Sequence, residues 1–277
     1  MSVPPPEDAS TRESDQVVRT YWERRLAKNF GLYGVGFQRL GPYYNRTLYR
    51  VRRRVFKRAI RRIDVKPRDA RILDVGSGSG FYVERWLAAG AKNIVATDIT
   101  AVSVHGLAGR YPGMQVLQLD IGDAPEQMPA RGSFDVVSAF DVLFHIVDDE
   151  RYARAISNAA ALLRPGGWFL FSENLPHHGT ERYAYQVNRS LEEVERLVHG
   201  AGFEIVRRSP MFVLMNTPVD STDERRKERW ERLVERVASS ERTAKRIALT
   251  RYPLELVLTA FAREGPSTEV MICRKTG

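Results

Sequence analysis

The feature that most constrains this chain is a run of glycines after a short apolar segment. Residues 72–75 have the pattern of a buried strand, and Gly76, Gly78 and Gly80 follow at alternate positions. Glycine lets a backbone turn sharply and come close to a bound ligand. A helical pattern begins at Phe81, so the first amides of that helix can attract a negative group. The run therefore predicts a strand, a ligand-binding turn and a helix.

The spacing of the run distinguishes two classes of nucleotide-like ligand. Dinucleotide enzymes use G-x-G-x-x-G, which would require glycine at position 81, where this chain has Phe81. This chain instead has D-x-G-x-G-x-G, beginning at Asp74. The Asp74 carboxylate can pair with a cationic amino group, which S-adenosylmethionine carries and a pyrophosphate lacks. The run therefore favours S-adenosylmethionine over a dinucleotide.

Two more acids follow later apolar runs. Asp98 ends residues 93–97, about twenty residues beyond the glycines, where a carboxylate can accept hydrogen bonds from both ribose hydroxyls. Asp120 follows residues 117–119, where it can accept a hydrogen bond from an adenine amino group. Ligands of open α/β sheets bind at the carboxyl ends of the strands. We therefore expect these acids to lie at one sheet edge.

Short apolar runs alternate with helical patterns from residue 71 to residue 208. Such alternation builds βαβ units around a parallel sheet. The last apolar run, residues 269–274, follows after roughly fifty residues, which are too many for a tight hairpin. We therefore expect a helical insert before the last strand.

Together these motifs resemble the class I S-adenosylmethionine-dependent methyltransferases of the small-molecule type. The resemblance covers residues 65–208. The stretches that carry it are 73–80, 96–98, 118–121, 134–146 and 162–169. It implies an α/β, Rossmann-like fold with a seven-stranded, mostly parallel sheet and an antiparallel last strand. The N-terminal helical lid and the helical insert before the last strand are additions of this chain.

The resemblance also implies S-adenosylmethionine as the cofactor. Phe140 and Asp141 are expected beside its methionine part. Tyr21 and Trp22 either pack within the lid or close over the cofactor. The predicted cofactor-binding residues are Asp74, Gly76, Ser77, Gly78, Gly80, Asp98, Ile99, Asp120, Ile121, Phe140, Asp141, Tyr21 and Trp22.

The chain divides into four predicted segments. Residues 1–64 are a disordered tail, up to about residue 14, followed by a helical, aromatic and basic arm that serves as a lid. Residues 65–210 form the cofactor-binding core. Residues 211–265 form the helical insert that shapes the acceptor pocket, and residues 266–277 form the last core strand.

Histidine is well suited to removing a proton from an acceptor near neutral pH. His145, just past the fourth strand, and His177 and His178, past the fifth, are the candidate catalytic residues. Each also has a structural interpretation, as a packed ring at a loop junction for His145 and as an exposed pair for the others. Glu173 and Asn174 are alternatives for orienting the acceptor. No metal is expected, because no cluster of metal ligands is visible.

Positive charge is concentrated in one segment. The net charge is +9, and residues 31–63 contain no acid, whereas residues 50–62 contain eight Arg and Lys residues. This stretch is either a solvated helix face or a surface for a phosphate-bearing substrate, nucleic acid or an anionic membrane. The expected partner is a small-molecule acceptor. If the basic stretch binds a phosphate-bearing substrate, that acceptor is anionic. Nucleic acid is not expected, because no RNA-binding module is recognisable.

Composition indicates a cytoplasmic protein. Cys273 is the single cysteine and excludes an internal disulfide, and residues 1–8 lack the apolar core of a signal peptide. No apolar stretch approaches the roughly 20 residues of a membrane span, so membrane contact is expected only peripherally, through the basic helix.

These features predict methyl transfer to a small molecule, with an oxygen of a saccharide, lipid-linked intermediate or secondary metabolite as the expected acceptor. No Asn-Pro-Pro-Tyr-like stretch follows Phe140, and in similar enzymes that stretch marks methylation of a nucleobase amino group. The alternatives are an RNA or protein methyltransferase and a catalytically silent binding or scaffold protein with the same fold.

Overall fold

The computed structural model describes residues 11–277, with side chains from residue 16 onward. Within these residues the chain forms nine α-helices and nine β-strands. The helices are α1 (Thr11–Lys28), α2 (Leu32–Val35), α3 (Gly41–Ala59), α4 (Phe81–Ala88), α5 (Ala101–Arg110), α6 (Asp149–Leu162), α7 (Leu191–Gly200), α8 (Glu224–Ser239) and α9 (Glu241–Phe261). The strands are β1 (Arg71–Val75), β2 (Asn93–Asp98), β3 (Gln115–Gln118), β4 (Phe134–Ala139), β5 (Leu163–Glu173), β6 (Glu181–Tyr183), β7 (Gln186–Asn188), β8 (Phe203–Pro210) and β9 (Glu269–Lys275).

Seven of these strands form one sheet in the order β3-β2-β1-β4-β5-β9-β8. The strands from β3 to β5 in this order are parallel, and β9 lies antiparallel between β5 and β8. The predicted seven-stranded, mostly parallel sheet with an antiparallel last strand is confirmed. The strand order reverses between β1 and β4, and ligands of open α/β sheets bind in the crevice at such a reversal.

Alternate residues of each strand enter hydrophobic cores on opposite faces of the sheet. On one face, Ile72, Val136 and Leu170 pack with residues of α3, α4, α8 and α9. On the other face, Leu73 and Phe169 pack with residues of α6 and α7. The N-terminal helix α3 and the insert helices α8 and α9 therefore complete one layer of the main core.

A buried glutamate fixes the insert in this layer. The Glu255 carboxylate, on α9, accepts hydrogen bonds from the backbone N–H groups of Val213 and Leu214, both at 2.8 Å. The Tyr44 hydroxyl, on α3, donates to the carbonyl of Met215 at 3.2 Å. Burial raises the pKa of Glu255, and the amide hydrogen bonds lower it in part. The start of the insert is thus held between α3 and α9.

Two local features differ from the sequence predictions. Helix α1 begins at Thr11, within the tail predicted up to about residue 14, and residues 1–10 lie outside the described residues. The hairpin of β6 and β7 has no counterpart among the predicted elements, because three-residue strands leave too short a pattern. None of the helices from residue 11 onward is long and apolar enough to cross a membrane.

Candidate functional site

An open cleft lies at the carboxyl ends of β1, β2 and β4, beside the reversal of strand order. Its lining joins the glycine loop to acidic and aromatic side chains, and it opens to solvent at its mouth. Helix α1 borders it on the N-terminal side. The predicted site residues that line it are Trp22, Gly76, Ser77, Gly78, Asp98, Ile99, Asp120, Ile121, Phe140, Asp141 and His145.

The glycine run forms one wall of this cleft. Gly76 and Gly78 have φ angles of 63° and 52°, in the left-handed region that favours glycine. A Cβ at Gly76 would lie 2.4 Å from a methyl carbon of Val142, so no side chain fits there. The N–H of Ser77 donates to the carbonyl of Thr97 at 2.8 Å, which ties the loop to the end of β2. The loop therefore presents bare backbone to the cleft.

Asp74 lies beneath the loop and does not line the cleft. Its side chain is buried, and its two carboxylate oxygens accept hydrogen bonds from the hydroxyls of Ser77 at 2.8 Å and Ser138 at 2.7 Å. Burial raises the pKa of Asp74 to about 6, although these hydroxyls lower it in part. The predicted pairing of Asp74 with a cofactor ammonium group therefore needs correction. Its side chain instead fastens the loop to β4.

Gly80 is a packing position as well. It has a φ of 88°, and a Cβ here would lie 2.8 Å from Cδ2 of Leu107 on α5. Gly80 is absent from the cleft lining, so its predicted approach to the cofactor is corrected. It lets α4 begin in close contact with α5.

Asp98, at the end of β2, best fits the position of a ribose. Its Oδ1 accepts hydrogen bonds from the N–H and the hydroxyl of Thr100 at 2.9 and 2.7 Å, and its Oδ2 accepts one from the N–H of Gly78 at 2.8 Å. A carboxylate has about four acceptor positions, so this arrangement leaves room for about one ribose hydroxyl rather than both. Burial raises the pKa of Asp98, and these hydrogen bonds lower it in part.

Asp120 lines the cleft but is held by an arginine. Its Oδ2 lies 2.8 Å from Nη2 of Arg151 on α6, and its Oδ1 accepts a hydrogen bond from the N–H of Gly122 at 2.9 Å. The same Nη2 lies 3.0 Å from Oδ1 of Asp123. The predicted contact between Asp120 and an adenine amino group would therefore be shared with Arg151.

The turn after β4 carries a backbone conformation that is costly for most side chains. Asp141 has a φ of 59°, the only positive value among the described non-glycine residues. Its N–H donates to Oγ of Ser172 at 2.7 Å. Its carboxylate pairs with Nε of Arg52 at 2.7 Å and accepts a 3.3 Å hydrogen bond from the Tyr82 hydroxyl. The ring of Phe140 stacks on Tyr82 at 4.5 Å, so this turn joins β4 to both α3 and α4.

Arg52 is a residue of this region that sequence reasoning missed, because it lies within the basic stretch 50–62. Its side chain is only 12% exposed. The available signal is helical spacing: Leu48, Arg52 and Phe56 recur every four residues, so Arg52 shares a face with buried apolar residues. An inward-facing arginine at such a position needs a carboxylate partner, which Asp141 provides.

Trp22 of α1 and His145 meet in the cleft. Their ring centroids are 5.0 Å apart, in an edge-on arrangement. Nδ1 of His145 lies 2.8 Å from the carbonyl oxygen of Tyr185. Because a carbonyl only accepts hydrogen bonds, Nδ1 carries the proton and Nε2 keeps its lone pair. Removal from water lowers the pKa of His145 to about 4, so the ring is neutral at physiological pH.

Tyr21 is turned away from the cleft. Its ring stacks on that of Tyr185, with centroids 4.5 Å apart, and its hydroxyl accepts a 2.6 Å hydrogen bond from Arg25. Of the two predicted aromatic residues, only Trp22 lines the cleft. The expectation for Tyr21 is corrected, because it holds α1 against the hairpin of β6 and β7.

His177 and His178 lie outside the cleft. Nδ1 of His177 is 2.6 Å from Oδ2 of Asp220, and Nε2 of His178 is 3.2 Å from Oε1 of Glu181. Carboxylates of the insert and of the hairpin therefore hold both rings at the loop after β5. The cleft therefore gives no support to the catalytic role predicted for this pair, which stays a prediction.

The end of β5 is buried behind the cleft. Glu173 accepts a 3.0 Å hydrogen bond from the Tyr152 hydroxyl, and the Asn174 amide donates to Oδ1 of Asn188 at 2.9 Å. Neither Glu173 nor Asn174 lines the cleft, so neither is placed to orient an acceptor there. Burial raises the pKa of Glu173 to about 8, although the Tyr152 hydrogen bond lowers it in part.

This raised pKa predicts a pH-dependent stability. Between the usual pKa of 4.5 and about 8, folded Glu173 keeps a proton that the unfolded chain releases. Stability therefore falls as pH rises through this window, by at most about 1.4 kcal/mol per pH unit from this group. Glu173→Gln, which mimics the protonated form, should flatten the dependence. Melting temperatures measured from pH 5 to pH 9 test this, and parallel curves for both proteins would contradict it.

The residues that line the cleft suit S-adenosylmethionine. The bare backbone at Gly76 and Gly78 allows close approach, and Asp98 retains acceptor capacity for a ribose hydroxyl. Trp22 and Ile121 supply the apolar and aromatic surface that an adenine ring needs.

Comparisons of sequence agree with this geometry. Residues 44–208 match the family model described as methyltransferase domain. The ubiquinone biosynthesis O-methyltransferase of Albidiferax ferrireducens is 31% identical over 105 residues, which are 36% of this chain and 40% of that protein. The tRNA U34 carboxymethyltransferase of Cellvibrio japonicus is 36% identical over 120 residues, which are 41% of this chain and 35% of that protein. The matches thus span about two fifths of these relatives.

Two solved structures share the fold. The 1,6-didemethyltoxoflavin-N1-methyltransferase of Burkholderia thailandensis, with bound 1,6-didemethyltoxoflavin and S-adenosylhomocysteine, has a TM-score of 0.57 at 17% identity, covering 100% of this chain and 94% of that one. The N-methyltransferase NodS of Bradyrhizobium japonicum, in complex with S-adenosylhomocysteine, has a TM-score of 0.57 at 13% identity, covering 94% and 99%. With a family model that spans more than half of its length, the chain belongs to the methyltransferase-domain family, among the class I S-adenosylmethionine-dependent methyltransferases.

Proposed function

We propose that this chain transfers the methyl group of S-adenosylmethionine to a small-molecule acceptor, at an oxygen of a saccharide, lipid-linked intermediate or secondary metabolite. The observation that carries the proposal is the cleft at the strand reversal, where the glycine loop, Asp98 and Trp22 come together. Bound there, the cofactor supplies an electrophilic methyl group on a sulfonium sulfur. Transfer then requires mainly that the acceptor be held in line with that group, and such orientation can be worth about 7–11 kcal/mol.

The chain's own residues would divide this work. The backbone of Gly76, Ser77 and Gly78 would come close to the cofactor and hold it. The Asp98 carboxylate would accept a hydrogen bond from a ribose hydroxyl. Asp120 would bind the adenine edge together with Ile121. Phe140 and Asp141 would border the methionine part, where the Arg52 pair and the Ser172 hydrogen bond keep the turn rigid.

His145 is the proposed acceptor-binding base. Its Nε2 lone pair can accept a hydrogen bond from an acceptor hydroxyl, while Nδ1 stays bonded to the Tyr185 carbonyl. With a pKa of about 4, the ring is too weak a base to ionise a hydroxyl before reaction. It suits accepting the proton as the oxygen gains its methyl group.

The His145 proposal predicts a separation of binding from turnover. His145→Ala should lower kcat about a hundredfold while S-adenosylhomocysteine affinity changes little. His199→Ala is the matched control, because this part-buried histidine of α7 bonds to the carbonyl of Phe203 on β8 and does not line the cleft. Because the pKa is already low, kcat should stay level from pH 6 to pH 9. Equal loss of affinity and turnover in His145→Ala would instead indicate a structural role.

The acceptor class is supported by one group of relatives and challenged by another. The O-methyltransferases of ubiquinone biosynthesis favour an oxygen of a small molecule. The tRNA U34 carboxymethyltransferases keep an RNA acceptor as the second candidate. S-adenosylhomocysteine release should therefore be measured with hydroxylated small molecules and with tRNA. Turnover on tRNA alone would replace the first proposal with the second.

The alternative of a catalytically silent scaffold makes a different prediction. Isothermal titration of folded protein with S-adenosylhomocysteine should give a saturable heat and a rise in melting temperature. The absence of both would remove the proposed activity and favour a scaffold.

A further inference from the structure

Two helices, α3 and α9, lie side by side and run in the same direction. At their first residues, a Cβ at Gly41 would lie 3.1 Å from the Glu241 carboxylate. At their last turns, Nη2 of Arg58 donates to Oγ1 of Thr259 at 2.9 Å. Their inner faces share one hydrophobic core with the sheet. Their outer faces therefore form a continuous surface, which we call the α3–α9 face.

The exposed side chains of α3 are cationic from residue 43 onward. Every exposed residue between positions 43 and 59 is Arg or Lys. These residues are Arg46, Arg50, Arg53, Arg54 and Lys57. Among the residues whose side chains are described, no carboxylate forms an ion pair with any of the five. Like charges at such helical spacing repel one another, so this half favours an anionic surface from outside.

The second half of α9 is apolar on its outside. From residue 249 to residue 261 no exposed residue is charged. Leu249, Leu254 and Val257 are 53%, 51% and 53% exposed, and Phe261 is 83% exposed. The first half of the helix exposes mainly cations, among them Arg242, Lys245 and Arg246. Large apolar side chains in a contiguous exposed row usually mark an interaction site.

We propose that the α3–α9 face binds the surface of an anionic lipid bilayer. Apolar side chains beside a row of cations match the interface of such a membrane, where acyl chains lie beneath phosphate groups. A second copy of this chain fits less well, because a symmetric contact would bring the α3 cations against their own copies. Nucleic acid would leave Val257 and Phe261 exposed to water. An anionic membrane provides phosphate groups for the cations of α3 and acyl chains for the apolar side chains of α9.

The position of the α3–α9 face relates membrane binding to the cofactor cleft. Three cations of the face, Arg46, Arg50 and Arg53, line a cavity together with Ser79 and Phe81. Because Ser79 and Phe81 also line the cofactor cleft, this part of the face lies near the cleft. A bilayer on this face would bring a membrane-borne molecule near the cleft. The proposal concerns the surface alone and holds whichever acceptor is methylated.

Vesicle co-sedimentation of the full chain tests the proposal. Vesicles of phosphatidylcholine alone are compared with vesicles in which phosphatidylglycerol replaces about a third of that lipid. We expect binding to the anionic vesicles and at least about tenfold weaker binding to the neutral ones. Val257→Asp with Phe261→Asp, and separately Arg50→Glu with Arg54→Glu, should each weaken anionic binding at least about tenfold.

Matched variants on other faces separate this surface from general charge or hydrophobicity. Val206→Asp replaces an exposed valine of β8, and Arg196→Glu replaces an exposed arginine of α7, a helix that packs on the opposite face of the sheet. Both should bind anionic vesicles as the unaltered chain does. Circular dichroism and S-adenosylhomocysteine titration check that every variant folds, so a failed methyltransferase assay stays distinguishable from failed membrane binding.

Three results would overturn the proposal. The first is equal binding to neutral and anionic vesicles, or none to either. The second is tight, salt-sensitive RNA binding that Arg50→Glu with Arg54→Glu abolishes and Phe261→Asp leaves intact. The third is a concentration-dependent dimer, measured by light scattering, that Val257→Asp with Phe261→Asp dissociates.

Discussion

Asp98→Ala should weaken S-adenosylhomocysteine binding about a hundredfold, which corresponds to about 2.7 kcal/mol. A hydrogen bond to a charged group contributes about 1.5–3 kcal/mol, and the variant loses the proposed bond to ribose. It also releases the N–H of Gly78 and both groups of Thr100 that Asp98 now holds. The loop would then have to be ordered by the ligand, which adds to the loss.

The conservative variant gives an intermediate result for a physical reason. Asp98→Asn keeps one carbonyl oxygen but turns the other acceptor into a donor. Thr100 and Gly78 both donate to Asp98 through their backbone N–H groups, so one of them would meet the new N–H₂ group. We therefore expect affinity between those of the unaltered chain and Asp98→Ala.

Isothermal titration measures these affinities, with circular dichroism to show that the protein is folded. Asp69→Ala is the matched control, because this carboxylate is 65% exposed and pairs with the neighbouring Arg68, away from the cleft. Undiminished affinity in Asp98→Ala would mean that the ribose lies elsewhere in the cleft.

Arg52→Met should destabilise the fold by about 3 kcal/mol, because removing one partner of a buried pair leaves the other charge uncompensated. The Arg52 and Asp141 side chains are 12% and 24% exposed, so water can compensate Asp141 only in part. In a chain of this size the loss corresponds to a decrease in melting temperature of roughly 6–12 °C.

A double-mutant cycle isolates the pair. Arg52→Met with Asp141→Asn should cost clearly less than the sum of the two single changes, because no unpaired charge remains. Asn is chosen because it tolerates the positive φ of Asp141, so the cycle does not add backbone strain. Additive effects would mean that the ion pair contributes no coupling.

The control for the cycle is an exposed ion pair of the same chemistry. Arg68 and Asp69 are 67% and 65% exposed, and Arg68→Met should change stability by less than about 1 kcal/mol. Denaturant unfolding, followed by circular dichroism, compares the variants under one condition.

The predicted site residues that lie in the cleft are those placed by local backbone geometry. The glycines at 76 and 78 adopt positive φ angles, which glycine tolerates better than any other residue type. Asp98 and Asp120 follow directly on apolar runs, and parallel strands bring their carboxyl ends to one edge. Such signals lie within a few residues of one another, so a single sequence shows them.

The three candidate histidines cannot be distinguished by local sequence patterns. His145, His177 and His178 all follow strand ends, yet only His145 lines the cleft. The partner that holds His177, Asp220, lies 43 residues further along the chain. A carboxylate at that separation gives no signal next to the histidine. Only the folded chain shows that the His177 ring is bonded to the Asp220 carboxylate.

By itself the sequence determined the fold class, the cofactor type and the strand ends that meet around the cleft. These follow from hydrophobic period and glycine placement, which act over short stretches of chain. The tertiary structure alone decided that Asp74 and Gly80 support the loop from outside the cleft. It also decided that the Arg52 side chain points inward and pairs with Asp141, 89 residues away. The physical reason is that burial and pairing of a charge depend on groups that come together only on folding.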